Sequence, residues 1–100
     1  LRVQVGAEKA FDHGAVTVGT TAVALASAYT LLNRGVQIKA AAANTGQVYV
    51  GNSDVTNGSA DATDGFELSA RDGLFVPAQD LQGVYVIGSA AGQKVFWLTL

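Results

Sequence analysis

The sequence predicts an all-β protein, a single sandwich or barrel of about eight short antiparallel strands. Three observations predict it. Apolar residues recur with a period of two along almost the whole chain, which is the pattern of a half-buried strand. Turn formers interrupt that pattern at roughly 8–12-residue intervals, the spacing of a sandwich or barrel. One hundred residues, 49% of them apolar and 14% charged, can bury one core and are not disordered in composition. Surface scaling puts the buried share at about 64% of the unfolded chain's surface, enough for a domain without covalent staples.

The elements follow in order. Leu1, Val3 and Val5 alternate with Arg2 and Gln4, an edge strand or arm spanning residues 1–14. The sandwich domain is expected over residues 15–100. Val16 and Val18 flank Thr17; Val36, Ile38 and Ala40 alternate with Gln37 and Lys39; Val48 and Val50 flank Tyr49. Further strands are expected at Gly65–Leu68, Leu74–Val76, Val84–Gly88 and Val95–Leu100. Between them stand Gly19-Thr20, Asn33-Arg34-Gly35, Asn44-Thr45-Gly46, Arg71-Asp72-Gly73 and Ala91-Gly92. These residue types accept positive φ or bond to their own backbone. Thr21–Leu32 supports two readings: a helix through Leu25, Tyr29 and Leu32, or a strand over Ala22–Ser27. Its β neighbours favour the strand. Asn52–Thr63 is polar and low in complexity, and is expected to be an exposed, mobile loop.

Parity assigns the inward set to Val36, Ile38, Val48, Val50, Phe66, Leu68, Val84, Val86 and Val95, because residues two apart share a face. Six basic and eight acidic residues give a net charge of −2, so no basic excess exists to neutralise phosphates. Nucleic acid is therefore a poor partner. The longest apolar stretch of helical type, Ala22–Leu32, is too short for a membrane span of about 20 residues. Leu1–Ala7 lacks the order of a secretory signal. The chain reads as mature and soluble, with the missing Met implying residues before Leu1.

Little here could make an active site, and no enzyme is expected. Cysteine is absent and His13 is the one histidine, so neither a thiolate nor a two-histidine metal pattern is available. Asp12-His13-Gly14 reads as a solvated turn. Gly88-Ser89-Ala90-Ala91-Gly92 has the wrong spacing for a nucleophile elbow and reads as a strand-ending turn. Asp54, Asp61 and Asp64 read as solubilising charge in an exposed loop, with an irregular calcium site as the lesser alternative; an EF-hand loop fails because its ligand positions one and three fall on Ala60 and Ala62. Asn57-Gly58-Ser59 matches a glycosylation sequon that chance readily produces. No cofactor and no metal is expected.

The anomaly is an excess of apolar residues. Val84-Tyr85-Val86-Ile87 and Val95-Phe96-Trp97-Leu98 are apolar on both strand faces, whereas one inter-sheet core covers one face. The second face needs a partner or a covering loop, and contiguous exposed apolar surface marks a protein contact. The expected interface residues are Leu1, Val3, Val5, Tyr85, Ile87, Phe96 and Trp97.

The runs Gly35–Ala40, Gly46–Gly51, Ser53–Thr56, Gly65–Leu68, Leu74–Pro77 and Val84–Ser89 carry a further signal. Together they resemble small virion-associated β-sandwich proteins of tailed bacteriophages, over roughly Ala15–Leu100. The resemblance implies a jelly-roll-like sandwich acting as a capsid decoration, or cement, protein. Such a protein would form dimers or trimers on the capsid exterior, after assembly in the host cytoplasm. It would bridge major capsid protein subunits without catalysis. The alternative is a tail, baseplate or head-fibre domain binding a host glycan or another virion protein. Its aromatic platform would come from Tyr29, Tyr49 or Trp97.

Overall fold

The computed structural model describes residues 11–27, 32–58 and 62–100. Eight strands fill them: β1 (His13–Val18), β2 (Val23–Ala24), β3 (Val36–Ala40), β4 (Val48–Gly51), β5 (Phe66–Leu68), β6 (Gly73–Val76), β7 (Tyr85–Gly88) and β8 (Gln93–Thr99). One 3-10 turn, Leu81–Gly83, is capped by Asp80, whose carboxylate accepts the Gln82 N–H at 2.9 Å. The expected all-β sandwich is what the chain forms.

The strands divide into two four-stranded antiparallel sheets, ordered β1-β8-β3-β6 and β2-β7-β4-β5. First pairs with last, second with seventh, third with sixth and fourth with fifth. That is one long antiparallel ribbon wound over itself, the jelly-roll topology. The inner faces meet in a core built from Val18, Val36, Ile38, Val48, Leu68 and Val86, each at most 1% exposed, with further aliphatics around them.

Parity places eight of the nine expected inward residues correctly. Phe66 is the exception, at 60% exposure. It shares the parity of Leu68, but it opens a three-residue edge strand paired on one side with β4. Alternation sets which face a side chain takes, not whether a second sheet reaches that far. In Thr21–Ser27 and Leu32, the described residues of the ambiguous segment, two form β2 and none is helical. The expected boundary after residue 14 falls inside β1. Leu1, Val3 and Val5 lie outside the described residues, as does Tyr29.

Gln93 is the buried polar residue of the core layer, and its amide is fully used. Its oxygen accepts the Gly46 N–H at 2.8 Å, while its nitrogen donates to the Thr45 hydroxyl and the Ala91 carbonyl, both at 3.2 Å. Satisfied in this way, a buried amide costs little and ties the β3–β4 connection to β8.

Candidate protein-interaction face

Each sheet has an outer face, and the two are treated differently by the chain. On the second sheet the outward residues include Tyr49, Gly51, Tyr85 and Ile87. Gly51 and Gly65 stand side by side, and the side-chain space they leave is filled by Val55, itself 4% exposed. A Cβ at Gly65 would lie 2.5 Å from the Val55 Cγ2. From Val55 the chain continues across the sheet. Gly58 lies against the Tyr49 hydroxyl, and the Asn57 amide donates to the Gly88 carbonyl at 3.1 Å.

Asp64 fastens this crossing. Its carboxylate accepts the Thr56 hydroxyl at 2.7 Å and the Gly58 N–H at 2.9 Å. Backbone bonds from Thr56 N–H to the Thr63 carbonyl and from Gly65 N–H to the Thr56 carbonyl close the loop. The expected exposed loop is therefore, over its described residues, a strap with a buried valine. Ile87, expected at an interface, is buried at 6% exposure, and Tyr85 is half-buried. Beneath the strap the phenol of Tyr49 ionises less readily than usual. Desolvation by burial is the main cause, followed by the negative charges of Glu67 and Asp64.

On the first sheet the outward rows are His13, Ala15 and Thr17 on β1, Lys94, Phe96 and Leu98 on β8, Gln37 and Lys39 on β3, and Gly73 and Phe75 on β6. Phe11 and Leu100 continue the first two rows, since the Asp12 carbonyl still accepts the Thr99 N–H at 2.8 Å. Six large hydrophobic residues are exposed among the described residues. Five of them, Phe11, Phe75, Phe96, Leu98 and Leu100, belong to these rows. Phe96, an expected interface residue, is 46% exposed. Trp97 points the other way. It pairs with Gly14 and Ile38 and packs against the core, its ring filling the space that a Cβ on Gly14 would need.

No family model, no curated protein and no solved structure matches this chain.

The other residues singled out in the sequence take the following places. His13 is exposed and stands on a strand rather than in a turn; the Asp12 carboxylate accepts its backbone N–H at 2.9 Å. Asp54, Asp64 and Asn52 line a depression of about 300 Å³ beside Phe66, where Asp64 already serves the strap. Among the described residues no group of three or more metal-ligating side chains converges, and no helix is long and apolar enough to cross a membrane. Neither Tyr49, beneath the strap, nor Trp97, packed inward, offers an open platform for a sugar ring.

Sequence reasoning missed Phe11, Phe75, Leu98 and Leu100 as face residues. Their signal was present in the register: Phe75 is opposite Gln37, which is opposite Leu98. That alignment requires knowing which strands are neighbours.

Proposed function

We propose that this chain is a non-enzymatic structural binding protein that docks onto a larger assembly through the outer face of its first sheet. The observation that carries the reading is the set of exposed apolar side chains on this one face, Phe96 and Leu98 on β8 and Phe75 on β6, with Gln37 and Lys39 of β3 between them. Such surface is costly to leave in water, at about 25 cal/mol for each Å² of apolar area, so a partner that covers it is stabilised.

The assembly we propose is the head of a tailed bacteriophage. The chain would serve there as a decoration protein on the capsid exterior, bridging and stabilising major capsid subunits. The sequence resemblance supports this placement, and the jelly-roll winding agrees with the fold which that resemblance implies. Jelly rolls host many functions, so the winding alone carries none. Copies would associate as dimers or trimers through the segment containing Leu1, Val3 and Val5, whose alternation suits addition to a sheet edge. Binding repeated over a lattice gains avidity, because each docked oligomer holds its remaining contacts at high effective concentration.

Imaging tests the proposal. Antibody raised against the chain is applied to virions from the source that encodes it. Labelling at regular positions over the head is expected. Labelling confined to tails, or none on virions, overturns the capsid placement. Removing residues 1–10 should lower head occupancy, and heads stripped of the protein should release DNA at lower temperature than decorated ones.

A further inference from the structure

The docking face is not uniform, and its charge says what would fit it. No strand of the first sheet contains Asp or Glu, yet Lys39 and Lys94 both stand on its outward rows. The chain as a whole is net negative, with its eight carboxylate side chains outside these strands. Beside these lysines the turn after β3 leaves a hollow of about 430 Å³, lined by Ala41, Ala42, Ala43, Lys94 and Phe96 among others. That volume lies in the range of ligand-sized sites, about 300–1,000 Å³.

The frame of the hollow is fixed. Asn44 extends the pairing of β8 past the end of β3. Its amide nitrogen donates to the Lys94 carbonyl at 2.9 Å, and its amide oxygen accepts the Lys94 N–H at 2.8 Å. The Ala41 N–H donates to the same carbonyl at 3.0 Å. Three alanines and an exposed phenylalanine then form an apolar floor. The Lys94 ammonium sits over the Phe96 ring, 5.9 Å from its centre.

We propose that this hollow seats an apolar side chain from an acidic segment of a partner protein, whose carboxylate pairs with Lys94. The inference rests on the reading of this sheet face as the docking face, and it names the chemistry of the partner there. Apolar contact with Phe96 and the alanines supplies the anchor, and the ammonium selects a neighbouring carboxylate over a cation. A second copy presenting the same face would bring lysines and no carboxylate against Lys39 and Lys94.

The test uses the full chain, isotope-labelled, in an NMR titration. The probes are two blocked pentapeptides, one alternating glutamate with leucine and the other alternating lysine with leucine. The glutamate peptide should give saturable shifts centred on Ala41–Asn44, Lys94 and Phe96, and should bind at least tenfold more tightly than the lysine peptide. Lys94→Glu lies at an exposed position and should reverse that preference without altering the rest of the spectrum. Three results overturn the proposal: no saturable shift at the hollow, equal binding of both peptides, or shifts of Phe96 that depend on protein concentration alone. The last would make a second copy the occupant. None of these results bears on whether the protein decorates virions, which the imaging decides separately.

Discussion

The two outer faces of this sandwich have nearly the same problem and opposite solutions. Both carry apolar side chains that the inter-sheet core cannot cover. On the second sheet the chain supplies its own cover: Val55 drops onto the Gly51–Gly65 pair, and Gly58 lies on Tyr49. On the first sheet no described segment plays that part, and Phe75, Phe96 and Leu98 stay exposed. The difference arises from connection length. Between β4 and β5 the chain has fourteen intervening positions, 52–65, to fold back over the sheet. The connections beside the first sheet's exposed rows are short: Ala41–Gln47 is held down by Asn44 and Gln93, and the β7–β8 turn spans four residues. A face that no described segment covers is open to a partner.

The largest effect should come from the layer on which both faces depend. Val86 is 0% exposed, lies on a central strand of the second sheet and pairs with both β2 and β4. Val86→Asp buries a carboxylate with no partner and should cost several kcal/mol, of order 3–5, which is a large part of a small domain's stability. Loss of cooperative thermal unfolding is the expected readout. A variant that melts within a few degrees of the parent would contradict the core assignment.

Next in size is a change that opens the covered face and leaves the bare one alone. Gly65→Val would place its Cβ 2.8 and 2.9 Å from the Val50 backbone as well as against Val55. Overpacking of this kind costs about 1–3 kcal/mol, and the strap is the element free to move. Amide exchange at Ile87 and Gly88 should accelerate, and retention on a hydrophobic column should rise. Unchanged exchange at Ile87 would mean that the strap is not its cover.

The reciprocal change removes the bare face. Phe96→Ser combined with Leu98→Ser alters two half-exposed outward positions and leaves the inward row of β8 intact. Folding stability should move by about 1 kcal/mol or less, the scale of strand propensity on an exposed face. Hydrophobic retention should fall, the opposite of the Gly65→Val result. If retention does not change, the exposed apolar surface lies elsewhere and the comparison of the two faces fails.

How much of this was legible in the sequence depends on the range of the interaction. Alternation is local, and it placed Val36, Ile38, Val48, Val50 and Val86 inward without any knowledge of topology. It failed at Phe66, where the deciding fact is how far the opposite sheet extends. The apolar doubling in Val84–Ile87 and Val95–Leu98 corresponds to apolar side chains on both faces of β7 and β8. It could not tell that Ile87 is covered by the chain itself while Phe96 is not. Parity also separates Phe96 from its neighbour Trp97, which the apolar run alone had grouped together. The strap was least legible, because its composition is that of any polar loop. Its role depends on a valine meeting two glycines, Gly51 and Gly65, that only the pairing of β4 with β5 brings side by side. Phe75 joins the exposed apolar residues of the first sheet through a strand order that no local pattern encodes.

The smallest expected effect probes the strap electrostatically. The Tyr49 phenol has its pKa raised above the usual 10.0 by desolvation and by Glu67 and Asp64. Glu67 is its direct cross-strand neighbour, and Asp64 holds the strap above it. The sign follows from linkage. A raised folded-state pKa means that the folded protein favours the neutral phenol more than the unfolded chain does. That contribution is fully present below about pH 10 and is lost as pH rises through the folded value. Tyr49→Phe cannot ionise, so its stability should decline less steeply above pH 10 than that of the parent. Urea midpoints measured for both from pH 8 to pH 11.5 provide the check, because every other titrating group is common to the two and cancels. Glu67→Gln should shift the parent's decline to a different pH by removing one of the raising charges, with the larger desolvation effect still in place. Parallel curves for the parent and Tyr49→Phe would show that the phenol titrates as it does in the unfolded chain, and the strap would then not be shielding it.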